Sequence, residues 1–86
     1  PEMVTGRASI AQDIVHMIRE SGLLTEMLAN RDPMKRKSCL IKISIAVDDD
    51  ERIIPGTTEI SESEPGVYWL TAQTELYGAL SLALEA

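Results

Sequence analysis

Four features of this 86-residue sequence have residue types that could do chemistry: His16, Cys39, a basic cluster and an acidic run. His16 is the single histidine. Asp13 at i−3 and Glu20 at i+4 share a helix face with it, an arrangement that suits a general base held by a carboxylate. The same spacing equally describes an exposed ion pair. Cys39 is the single cysteine, so no intrachain disulfide can form, which points to a reduced, cytoplasmic setting. The bases at Lys35, Arg36 and Lys37 would favour its thiolate. Its place at the head of an apolar run makes a buried structural thiol the plainer reading.

The acidic run Asp48, Asp49, Asp50 and Glu51 offers oxygen ligands for a hard cation. It lacks the spaced ligands and the turn glycine of a calcium loop, and consecutive acids point in different directions. No metal site is expected. Arg31, Lys35, Arg36 and Lys37, with Lys42 beyond them, form the basic cluster. No aromatic residues are interleaved with them, as a stacking platform for single-stranded nucleic acid requires. They read as a solvated loop. The sequence contains no glycine-rich phosphate loop, zinc ligand set or hydrolase triad, and no cofactor is expected.

Pro1 adds one further candidate. An N-terminal proline carries a free secondary amine, a possible base or nucleophile. The order short strand, helix, strand over residues 2–47 is similar to the β-α-β unit of the tautomerase superfamily. That resemblance implies Pro1 as the reacting group of a small enzyme, with His16 as the alternative.

The elements that must position these residues follow from periodicity. Within residues 7–29, Ile10, Ile14, Met17 and Ile18 recur at helical spacing. Thr5 or Ser9 can cap the start. Gly22 is a stop signal, because glycine takes the left-handed cap conformation cheaply. Leu23, Leu24, Met27 and Leu28 continue the helix or begin a second short one, which ends before Pro33. Residues 34–38 read as a basic connection. In residues 39–47, CLIKISIAV, the set Cys39, Ile41, Ile43, Ile45 and Val47 alternates with Leu40, Lys42, Ser44 and Ala46. Period two with β-branched residues predicts a strand. Asp48 to Asp50 end it in a turn, and Arg52 to Ile54 can return as a short antiparallel strand.

The tail, residues 67–86, reads VYWLTAQTELYGALSLALEA and holds all three aromatics. One reading is a single helix from about residue 65 to 85, with Pro65 in its first turn. The other makes Pro65-Gly66 a turn, VYWLT a strand, and a helix from about Gln73. Both predict a helix over residues 74–85, with Leu76, Ala79, Leu80, Ala83 and Leu84 as its packing face.

The expected fold is therefore one α+β domain spanning residues 1–86. It is a two-layer sandwich of an N-terminal helix, a two- or three-stranded antiparallel sheet and a C-terminal helix. This order is similar to that of double-stranded-RNA-binding domains. Their basic cluster at the start of the last helix is replaced here by Gln73, Thr74 and Glu75.

Charge and composition narrow the function classes. The net charge is −6, with seven bases and five acids in residues 1–43 but one base and nine acids in residues 44–86. An acidic chain is poorly suited to phosphate-driven nucleic-acid binding. Polar residues at Thr71, Gln73, Thr74 and Glu75 interrupt the apolar tail, so no membrane span is expected. Apolar rows remain that an 86-residue chain has little material to cover. The expected partner is another copy of the chain, in a homodimer or higher homo-oligomer, and another protein is the alternative. Trp69, Tyr77, Leu80 and Leu84 are the expected buried or interface anchors. Lys35, Arg36 and Lys37 at one end of residues 39–47, with Asp48, Asp49 and Asp50 at the other, are the expected charged contacts. The expected function is a non-enzymatic interaction or assembly domain. An acidic regulatory partner of a basic protein is a further alternative, because residues 48–64 hold seven acids and one base.

Overall fold

The structure, a computed structural model, describes residues 6–85. Three helices are followed by three strands: α1 (Arg7–Ser21), α2 (Leu23–Ala29), α3 (Pro33–Asp48), β1 (Glu59–Glu64), β2 (Val67–Thr74) and β3 (Gly78–Leu84). The strands form an antiparallel meander in the order β1-β2-β3. The α+β class holds.

α1 forms where the apolar period predicts it and buries Ile10, Ile14 and Ile18. It stops at Gly22, which sits at φ 75°, in the left-handed region, and donates its N–H to the Arg19 carbonyl at 3.3 Å. The chain re-enters a helix at once, so α2 is a separate short element burying Leu24 and Met27. Pro33 does more than close the preceding segment. It occupies the first turn of α3, while the Asp32 carboxylate accepts the Met34 N–H at 2.9 Å as an N-cap.

Residues 39–47 are therefore helical rather than a strand. The buried set in α3 is Cys39, Ile43 and Val47, at a spacing of four. Ile41 and Ile45, expected to share a buried strand face with them, are 50% and 63% exposed. β-branched residues lose only a few tenths of a kcal/mol in a helix relative to good formers. The N-cap and the packing of one helical face outweigh that preference. The residues expected to form a polar basic connection, Lys35 to Lys37, lie in the first turns of this helix. The β-α-β unit expected over residues 2–47 is likewise replaced by helices from Arg7 to Asp48, and Pro1 lies outside the described residues.

The tail departs from expectation in the opposite sense. VYWLT is a strand, as one of the two readings had it, but β2 runs on to Thr74. The helix expected over residues 74–85 is a turn followed by β3. The turn closes on Thr74, whose Oγ1 accepts the Tyr77 N–H and donates to the Gly78 carbonyl, both at 2.8 Å. Gly78, at φ 76°, supplies the left-handed conformation that other residues resist. Beyond it Leu80, Leu82 and Leu84 are buried and Ala79, Ser81 and Ala83 exposed, a period of two.

Tyr68, Leu70 and Ala72 of β2 and the three leucines of β3 meet the buried faces of the helices in one apolar core, and Thr74 is buried at the end of β2. α1 contacts β3, and α3 contacts β1. Ile53, in the loop before β1, forms an isolated bridge to Thr74, with the Ile54 N–H donating to the Gln73 carbonyl at 2.8 Å. The return expected over Arg52 to Ile54 is thus a single bridge.

Candidate interaction surfaces

The residues expected to do chemistry are dispersed. α1 presents His16 to solvent, where its Nε2 lies 2.8 Å from Glu20 Oε1 and both side chains are largely exposed. Asp13 is drawn away from that pair. Its Oδ2 accepts from Arg52 at 2.9 Å, a contact between α1 and the loop after α3. The groove of about 300 Å³ beside His16 is lined by α1 residues alone, Ala11, Gln12, Val15 and Arg19, so it has no opposing wall. Cys39 is buried on the inner face of α3.

Arg52 gathers the acidic run that the sequence presents. Its Nε and one terminal nitrogen donate to Asp50 Oδ1 and Oδ2 at 2.9 and 2.7 Å, a bidentate pair. The Asp50 side chain also accepts the Arg52 N–H at 2.8 Å. These hydrogen bonds hold the Asp50 carboxyl below the ordinary carboxylate range, led by the guanidinium bond. The Asp50 and Asp13 bonds push the guanidinium in the opposite direction. Asp48 accepts from the Thr58 hydroxyl at 2.5 Å. The acids thus bind loop and helix together, and among the described residues no three His, Cys, Asp or Glu side chains cluster as a metal ion requires.

The expected interface anchors divide. Leu80 and Leu84 are buried in the chain's own core. Trp69 and Tyr77 are close to half exposed. Tyr77 lines a cleft of about 240 Å³ with Ile10, Arg52 and the nearly free Leu76. Trp69 stands on the outer face of the sheet. Alternation places Thr71 and Gln73 of β2 and Ala79, Ser81 and Ala83 of β3 on that same exposed face. In the ladder Trp69 lies between Ser61 of β1 and Ala83 of β3, and Thr71 lies between Glu59 and Ser81.

A second apolar surface escaped the sequence reading. On α3, Met34, Ile41 and Ile45 are all exposed. Assigning residues 39–47 to a strand hid them. The spacing Met34, Ser38, Ile41, Ile45, preceded by Asp32-Pro33, is the signal that could have found them. Of the basic cluster, Lys35 and Lys37 are exposed on α3, while Arg36 turns back so that its Nε donates to the Asn30 carbonyl at 2.6 Å. No described helix is long and apolar enough to cross a membrane.

Residues 1–83 match the model of a family described as "Protein of unknown function (DUF2590)". The chain is 42% identical over 80 residues to the "Uncharacterized 12.7 kDa protein in lys 3'region" of Haemophilus phage HP1 (strain HP1c1), covering 93% of this chain and 72% of the phage protein. No solved structure matches it. By the extent of both matches, the chain belongs to the DUF2590 family.

Proposed function

We propose that this protein is a non-catalytic, cytoplasmic interaction module, a two-layer α+β domain that assembles with further copies of itself. The observation that carries the reading is Trp69, 44% exposed at the centre of the outer sheet face. Around it the outward positions of β2 and β3 are threonine, glutamine, serine and alanine, none of them charged. A chain of net charge −6 repels its own copy over most of its surface. The β2–β3 part of this face, uncharged and small around one large aromatic with Glu59 at its β1 edge, is where two copies approach with least repulsion, and aromatics are enriched among interface anchors.

Trp69 is the single tryptophan, so its fluorescence reports directly on this face. Dilution from millimolar to sub-micromolar concentration should shift its emission to the red as assemblies dissociate. Sedimentation should show the same midpoint, and Trp69→Glu should abolish that step. A wild-type chain monomeric throughout the range would overturn the reading.

A second reading draws on β1, where Glu59, Glu62 and Glu64 are all exposed on an edge strand. Such an edge suits a basic protein surface, the acidic-partner alternative. Binding to a polylysine probe that weakens with salt and with Glu59→Gln and Glu64→Gln would support it, and salt-independent binding would remove it.

A further inference from the structure

We infer that the outward face of α3 is a two-fold interface, on which a second copy of this chain docks with its own α3 running antiparallel. α3 carries two apolar faces. Cys39, Ile43 and Val47 turn inward and are buried. Met34, Ser38, Ile41 and Ile45 form the other row at steps of four, three and four, the spacing of a helix–helix seam. Its large members are at least half exposed, Met34 by 76%. The row is about 16 Å long at 1.5 Å per residue. A helix apolar on two sides is normally buried on two sides, and no described element covers this one.

The charges flanking the row select both the occupant and its direction. Lys35 and Lys37 flank its first half, Lys42 lies exposed beside it between Ile41 and Ile45, and Asp48 and Asp49 follow its last residue. Among the described residues Lys35, Lys37 and Asp49 enter no ion pair. A parallel copy would set base against base and acid against acid. An antiparallel copy sets the lysines of each chain against the acids of the other, twice by symmetry, and opposes the two helix dipoles favourably. The pairing gathers Ile41 and Ile45 of both copies near the axis and brings the two Lys42 side chains beside them, where their long stems carry the ammonium groups out to water at the rim. One helix thus holds both halves of a self-complementary surface. This interface is separate from the sheet face around Trp69 and stands without it.

The test uses the full chain. In the Trp69→Glu background, which removes the sheet-face contact, sedimentation should still give a dimer, and adding Ile41→Glu with Ile45→Glu should leave a monomer with unchanged circular dichroism. Lys35→Glu and Asp49→Lys should each weaken the dimer roughly two- to tenfold, more at low salt, and together restore it. Under mild oxidation Ile41→Cys should cross-link two chains and Met34→Cys should not, because residue 34 lies far from an antiparallel axis. Cys39 is buried and does not compete. A monomer in the Trp69→Glu background, a dimer indifferent to the isoleucine changes, or preferential cross-linking through residue 34 overturns the inference. An unchanged oligomer in Trp69→Glu alone would instead count against the sheet-face reading.

Discussion

Arg52 and Asp13 stand 39 positions apart in sequence and meet at 2.9 Å, which fastens α1 to the loop that leads into the sheet. The same guanidinium grips Asp50 with two further bonds, and the Arg52 carbonyl accepts the Glu75 N–H at 2.9 Å. One residue therefore ties the first helix, the acidic turn and the β2–β3 turn. Arg52→Ala should lower stability by about 1 kcal/mol. Each exposed ion pair contributes only a fraction of that, and solvent screens it. Urea unfolding measures the loss, and Arg52→Lys, which cannot make the bidentate contact, should recover less than half of it.

Asp50 gives this clamp a pH dependence. Its carboxyl is held below the ordinary aspartate value of about 4. The folded state therefore binds the proton less readily than the unfolded chain. The stabilisation is fully present above the ordinary value and is lost as pH falls through the lower folded one. Thermal unfolding of the wild type and Asp50→Asn should differ at neutral pH and converge below about pH 4. A difference that persisted undiminished at acid pH would place the effect elsewhere than in this carboxylate.

Ile41 and Ile43 separate the observed helix from the strand that the sequence suggests. In a strand, odd-numbered residues share one face and both would be core. In α3 Ile43 is fully buried and Ile41 half exposed. Ile43→Ala should cost about 2–5 kcal/mol, the range for truncating a buried isoleucine. Ile41→Ala should cost under about 1 kcal/mol in the monomer. Equal losses would favour the strand. Urea titrations at concentrations below any association compare the two directly.

The contrast between those isoleucines also shows where sequence reasoning held. Gly22 was legible because its role is local: a left-handed residue ends a helix whatever surrounds it. VYWLT was legible because aromatic and β-branched propensity agree with the Pro65-Gly66 turn before it. Residues 39–47 and 78–84 were not, since in each the composition favours one state and the burial period another. Isoleucine and valine favour a strand, yet inward residues at 39, 43 and 47 make a helical face. Leucine and alanine favour a helix, yet Leu80, Leu82 and Leu84 alternate. Local signals did exist in Asp32-Pro33 and in Gly78, but each also fits another reading until its hydrogen bonds are seen. The Arg52–Asp13 contact depends on tertiary placement alone, which no spacing in the chain announces.

Gly22 itself offers a sharp test of the α1–α2 joint. It sits at φ 75° and ψ 0° with open space where a Cβ would project. A substitution there meets no clash, so its cost is backbone strain alone. Gly22→Ala should destabilise by about 1–2 kcal/mol, and Gly22→Asn by less, because asparagine tolerates the left-handed region. Thermal denaturation of the pair checks the order. Alanine tolerated as well as asparagine would mean that the two helices had merged through residue 22.

Thr74 is the buried polar residue on which the β2–β3 turn depends. Its hydroxyl accepts from the Tyr77 N–H and donates to the Gly78 carbonyl. Thr74→Val keeps the shape and removes both bonds, leaving a backbone donor and an acceptor without that partner. Loss of such partners costs about 1–3 kcal/mol where water cannot replace them. Thr74→Ser keeps the hydroxyl and should retain most of the stability, losing only the packing of one methyl. Amide exchange locates the effect. The Tyr77 N–H should exchange faster in Thr74→Val than in either hydroxyl-bearing chain, while the Ile18 and Ile43 amides, in the interiors of α1 and α3, change only with global stability. If all amides accelerated alike, the hydroxyl would be a general contributor to the core rather than the fastening of this turn.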